Sequence, residues 1–120
     1  MAHPQNADWL KDLGADLVTL ANNHTYDFGE ICLLDTLQTL QERGIPYLGA
    51  GAQLAEASST AFFYLDSSAP EQERAVMTVA VLNATRIEQD GTPDTKAATE
   101  TTPGVFRCYD SALLCQRIRE

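Results

Sequence analysis

An apolar run ends abruptly in Asn22-Asn23-His24, and a carboxylate follows three positions later at Asp27. These residue types can do chemistry. Asn offers a neutral amide oxygen and His an imidazole nitrogen, and both ligate divalent transition metals. A His beside a metal-bound phosphate also serves as a general acid or an electrostatic clamp. Asp27 stands where a carboxylate can orient the His24 ring and choose its tautomer. A blander role competes with these. Asn and His at a strand-to-helix junction commonly satisfy backbone groups as turn and cap residues. From spacing alone, that role has the stronger claim.

Such a cluster needs elements to hold it. Residues 16–21 read as a buried strand that stops at Asn22. Residues 30–43 read as a helix, with Ile31, Leu34, Leu37 and Leu40 as its apolar stripe and Leu33 widening it. Gly29 and Glu30 mark its start, and Arg43 and Gly44 its end. Upstream, residues 6–13 predict a short helix capped by Asn6, closed by Gly14, with Trp9, Leu10 and Leu13 on one side. Downstream, residues 45–48 predict a short strand and 53–58 one or two helical turns. Residues 61–65 and 75–82 predict strands, with a polar turn over 66–74. Residues 83–104 lack periodicity and read as a long loop. A last helix is expected over 110–119, capped by Asp110, with Ala112, Leu113, Leu114, Cys115 and Ile118 on its apolar side. Helices alternating with short apolar strands predict an α/β fold with a mostly parallel sheet and helices on both faces. Ligands in such sheets bind beyond the carboxyl ends of the strands, where Asn22-Asn23-His24 falls.

Composition limits the function classes. The chain has 120 residues and a formal net charge of −9, with 44% hydrophobic and 21% charged residues. These values fit one globular domain rather than a disordered chain. A sequence pI near 4.5 argues against a nucleic-acid binder, which needs a basic footprint. No apolar run approaches the roughly 20 residues that span a bilayer. Residues 1–6 show neither the positive nor the apolar region of a signal peptide. The acidity is uneven: residues 1–60 hold two basic side chains against eight acidic ones. Most of these read as solvated surface. Cys32, Cys108 and Cys115 form no CxxC pair, and spacing sets no disulfide among them. Gly49-Ala50-Gly51 lacks the frame of a phosphate-binding loop and reads as a turn. His3, near the terminus, reads as a tail residue.

The run Gly14-Ala15-Asp16-Leu17-Val18-Thr19-Leu20-Ala21-Asn22-Asn23-His24 resembles the G-x-D-x-x-x-x-A-N-N-H segment of the CapA-type proteins. These are poly-γ-glutamate capsule biosynthesis proteins within the calcineurin-like metallophosphatase superfamily. The likeness continues through Asp27-x-Gly29, Leu34-Asp35-Thr36-Leu37, Gly44-Ile45, Gly49-Ala50-Gly51 and Leu54-Ala55-Glu56-Ala57. It implies a partial metallophosphatase-like αββα sandwich and a site for divalent metal ions. Asn23 would be the metal ligand, His24 the catalytic or phosphate-contacting residue and Asp27 its orienting partner. Asn22, which stands where many relatives carry a glycine, would be a further contact. The family's other motifs, an Asp after an early strand and later H-W-G and G-H-x-H segments, do not occur in these 120 residues.

The expectation is therefore a central part of a longer CapA-like domain, with metal ligands outside this chain and little activity of its own. By the same resemblance, partners belong to the capsule-polymer machinery and relatives are often associated with the cell envelope. Exposed sheet edges would make the piece marginally stable or favour a homodimer. A metal-dependent hydrolase and a non-catalytic binding or assembly module on the same fold both stand open at this point.

Overall fold

A computed structural model describes residues 3–66, 76–86, 96–109 and 111–120. The architecture is mixed α/β. A 3-10 turn over Pro4–Ala7 leads into helix α1 (Asp8–Asp12), strand β1 (Val18–Thr19) and helix α2 (Gly29–Glu42). Strands β2 (Tyr47–Leu48) and β3 (Ala50–Gly51), helix α3 (Leu54–Ala57) and strands β4 (Thr60–Asp66) and β5 (Val76–Leu82) follow. Strand β6 (Gly104–Val105) and helix α4 (Ser111–Arg119) complete the described elements. Asn6 does not cap the first helix. Pro4, with its preset φ, starts a 3-10 turn before it, and His3 Nδ1 accepts the Gln5 N–H at 3.3 Å.

The expected mostly parallel sheet is not what forms. Among the described residues, β1 pairs with β2 in parallel, Val18 opposite Tyr47 and Thr19 opposite Leu48. The pairs β3–β6 and β4–β5 are antiparallel. Chain length explains the second of these. The connection from Asp66 to Val76 is shorter than the dozen or more residues that a parallel crossover needs. Apart from Asp66, which ends β4, the turn expected over 66–74 lies outside the described residues, as does the Asp110 cap. The described parts of 83–104 are not all loop: besides β6 itself, Thr85 bridges Arg107 and Ala97 bridges Val105, both in parallel.

Backbone hydrogen bonds join these short pieces into one layer. Leu20 N donates to Leu48 O at 2.8 Å and Phe106 N to Gly49 O at 2.8 Å. Thr85 N then donates to Phe106 O at 3.0 Å. The β1 end, the β2–β3 junction, the residues after β6 and Thr85 therefore lie side by side.

Helix α2 covers this layer with Leu33, Leu37 and Leu40, which pack with Leu20, Ile45, Ala50 and Val105. The stripe differs from the expected one. Each i+3 step falls about 60° short of a full helical turn, so three steps carry Ile31 to the side opposite Leu40. Ile31 is 76% exposed, whereas Leu33 is fully buried. A second cluster, Ala57, Ala98 and Phe106, receives Leu113 and Leu114 from α4. Ala112, Cys115 and Ile118, expected with them, are exposed. The β4–β5 ribbon leaves Phe62, Tyr64, Leu65 and Met77 exposed.

A polar clasp closes the turn after β3. The Tyr47 hydroxyl donates to Glu56 Oε1, while Glu56 Oε2 accepts the Ala52 N–H at 2.7 Å. Burial, reinforced by the neighbouring Glu56 carboxylate, pushes the Tyr47 hydroxyl up to about 12.

Two outcomes follow. Leu33→Ala should cost about 2–5 kcal/mol of stability in urea unfolding, and Ile31→Ala no more than about 0.5 kcal/mol. The neutral Tyr47 is favoured in the folded state, so its contribution is full below the ordinary tyrosine value of 10 and fades as the pH rises towards 12. Alkaline unfolding curves should show this loss, and Tyr47→Phe should remove that component.

Candidate functional site

The chain leaves β1 through a turn built by Asn22. Its Oδ1 accepts the N–H of His24 at 2.9 Å and of Thr25 at 3.1 Å. This is an Asx-type turn, in which a side-chain oxygen replaces a backbone acceptor. The Thr25 hydroxyl donates back to Leu20 O, which ties the loop to the strand it has just left. Gly29, at φ +82°, then turns the chain into α2. So the local sequence bends the backbone and presents Asn23, His24 and Asp27 beyond the carboxyl end of β1.

His24 Nδ1 lies 2.7 Å from Asp27 Oδ2, and His24 Nε2 lies 3.2 Å from Asn23 Nδ2. A carboxylate only accepts, so Nδ1 carries the proton. In the neutral ring Nε2 is then an acceptor, and the Asn23 amide N–H donates to it. Asn23 Oδ1 is left without a hydrogen bond among the described residues. That oxygen is the atom an amide offers to a metal. The hydrogen bond from His24 is the main influence holding the Asp27 carboxyl below its usual range, with the charge of Lys96 adding to it. His24 is 76% exposed and Asp27 39% exposed, so the pair sits at the surface rather than in a closed cleft.

All four residues expected at the site are thus neighbours, in different employment. Asn22 is engaged in the turn. Asn23 and Asp27 both face His24. Two further residues belong here that the sequence did not single out. Lys96 Nζ donates to Asn23 O at 3.3 Å and lies 3.6 Å from Asp27 Oδ1. Asn83 Oδ1 accepts the Ala21 N–H at 2.7 Å, one residue before the turn begins. Both are remote in sequence, and only their residue types could have marked them.

Gly49 makes the Asn83 contact possible. A Cβ there would lie 2.1 Å from Asn83 Oδ1 and 2.7 Å from Ala21 N, and its φ is +87°. The absent side chain lets the end of β2, the end of β1 and Asn83 meet.

Asn23 and His24 offer one amide oxygen and one imidazole. Among the described residues no group of three or more His, Cys, Asp or Glu side chains could hold a metal ion. The donors present therefore fit only part of a coordination shell. No disulfide joins Cys32, Cys108 and Cys115. Among the described residues no helix is long and apolar enough to cross a membrane.

The family model for the bacterial capsule synthesis protein PGA_cap matches residues 1–119. The chain belongs to this family. It is 36% identical over 110 residues to a probable polyglutamine synthesis accessory protein of Mycobacterium tuberculosis, seen in strains H37Rv and CDC 1551, covering 92% of this chain and 27% of that protein. It is 30% identical over 97 residues to the PGA biosynthesis protein CapA of Bacillus subtilis strain 168, covering 81% of this chain and 22% of that one. The chain thus spans about a quarter of the length of these curated relatives. Membership agrees with the resemblance carried by the Gly14–Ala57 run, and the chain is CapA-type.

Gly49→Ala should destabilise the chain by more than about 2 kcal/mol, because strain at positive φ adds to a steric clash. Gly14→Ala is the control. Its φ is +71° but nothing lies within 4 Å of the added Cβ, so only about 1–2 kcal/mol should be lost. Chemical denaturation of both variants measures the difference.

Proposed function

We propose that this chain contributes the Asn-His part of a metal-dependent phosphoesterase-like site in a protein of capsule or poly-γ-glutamate synthesis. Asn23 Oδ1 ligates a divalent metal, and His24 faces the phosphoryl group. Asp27 orients the ring, and the remaining metal ligands come from outside these 120 residues. On this reading the chain is the central part of a longer CapA-like domain with the metallophosphatase-like sandwich, and its partners are the capsule-polymer machinery.

One observation carries the reading. The Asp27–His24–Asn23 chain of contacts leaves Asn23 Oδ1 without a partner among the described residues, beyond the carboxyl end of a strand. An exposed amide oxygen that accepts no protein hydrogen bond is open to a metal ion. The polymer is suggested by the relatives' names, PGA biosynthesis for the Bacillus protein and polyglutamine synthesis for the mycobacterial one. When bound, the metal would polarise a phosphoryl oxygen and lower the pKa of a bound water. The chain's own part is to hold His24 in one tautomer and to keep Asp27 ionised beside it.

The non-catalytic module is the second reading. It is favoured by Asn22, whose side-chain oxygen is spent on two backbone N–H groups.

The test uses the Gly14–Ala57 segment carried within a CapA-family protein of the relatives' length. Asn23→Ala should weaken metal binding measured by calorimetry. His24→Ala should lower metal-dependent phosphoester hydrolysis by roughly 10²-fold or more while metal stays bound. Unchanged metal binding, hydrolysis and polymer production in both variants would overturn the proposal in favour of the module.

A further inference from the structure

We infer that Lys96 is a positioning residue. By holding the Asp27 carboxylate and the Asn23 backbone from a distant segment, it sets the tautomer and direction of the His24 ring. The inference rests on the His24–Asp27 arrangement used in the proposed function.

Lys96 is well placed for this. Its own backbone is fixed: Lys96 O accepts the Val105 N–H at 2.8 Å, and Ala98 N donates to Val105 O at 2.9 Å. Val105 is fully buried, so this support belongs to the core. Gly104 permits the close packing, because a Cβ there would lie 2.6 Å from Lys96 O and 2.4 Å from Ala98 N. From this base the side chain reaches across, and its exposure is only 21%. A lysine whose stem is packed can aim its ammonium at anionic or carbonyl partners. Lys96 finds both, in Asp27 Oδ1 and Asn23 O.

The two oxygens of Asp27 are thereby divided. Oδ1 faces the ammonium and Oδ2 faces His24 Nδ1. An exposed His–carboxylate pair three residues apart on a surface turn has little else to hold it, since water competes for both members. With Oδ1 engaged, the carboxylate cannot swing out without losing the ammonium. Nδ1 therefore keeps its proton, and Nε2 keeps its lone pair towards Asn23. Without Lys96 the loop would still turn, because Asn22 and Thr25 build the turn locally. Only the ring would lose its setting.

The chain has two histidines, so its ring signals are few. In mildly alkaline buffer, nitrogen NMR of the chain should show one histidine with widely separated ring shifts, Nδ1 protonated and Nε2 not. His24→Gln assigns that ring by its loss. In Lys96→Met the separation should shrink towards the tautomer average, with the amides of Ala98 and Val105 unmoved as the control for folding. Lys96→Arg should restore the separation. Where Lys96→Met fails that folding control, Lys96→Gln is read in its place, with the same expectation. A ring pattern in the uncharged variant like that of the original chain would overturn the inference. So would averaged shifts for His24 in the original chain. A failure to bind metal would defeat the proposed function and leave these ring signals as they are, so the two readings fail separately.

Discussion

The rest of the structure depends on a close approach at Gly49. Three stretches of chain meet there: the end of β1 at Ala21, the end of β2, and Asn83 just beyond β5. A fourth joins through the backbone, since Phe106 N donates to Gly49 O. Any side chain at this position would occupy the space that Asn83 Oδ1 and Ala21 fill. Close backbone contact of this kind is the ordinary reason for a glycine within a sheet. It fixes where β1 stops, and therefore where the Asn22 turn begins.

From that fixed point the site is assembled at two ranges. Short-range bonds make the turn, with Asn22 accepting two N–H groups and Thr25 reaching back to Leu20. Long-range bonds orient what the turn presents, with Asn83 holding Ala21 and Lys96 holding Asp27. The division matters for the chemistry. A turn alone leaves three exposed polar side chains free to rotate, at a side-chain entropy cost to any ligand that must order them. Long-range anchors meet part of that cost during folding. In a chain of net charge −9, whose acidic excess is greatest in residues 1–60, Lys96 is a cation delivered from the other half.

Family membership and geometry bear on different questions. The PGA_cap match covers nearly the whole chain and agrees with a long, specific run of residues. The geometry speaks to which atoms are spent and which are available. Asn22 and Asn23 are adjacent and chemically identical, yet one oxygen is consumed by the backbone and the other is not. That contrast marks Asn22 as the residue that builds the turn.

Much of this was legible in the sequence. The α2 helix, a strand before Asn22 (observed only over Val18–Thr19), the β4 and β5 segments and the cluster of Asn22, Asn23, His24 and Asp27 follow from local pattern, because turns, caps and i,i+3 neighbours are short-range effects. The stripe of α2 was read too wide: Leu33, Leu37 and Leu40 meet the layer beneath, while Ile31 and Leu34 turn away from it. Strand direction was legible only for β4–β5, whose short connection excludes a parallel crossover. The antiparallel β4–β5 and β3–β6 pairs depend on how far the chain travels between strands and on which edges are open. Residue types and spacing by themselves determined the turn, the helix behind it and the side chains it presents. Only the tertiary structure decided which cation faces Asp27 and what anchors the end of β1, because Lys96 and Asn83 reach the site across 73 and 62 residues of chain. No local periodicity encodes a contact of that range; it exists because Gly49 and Gly104 let backbones approach where a side chain would have kept them apart.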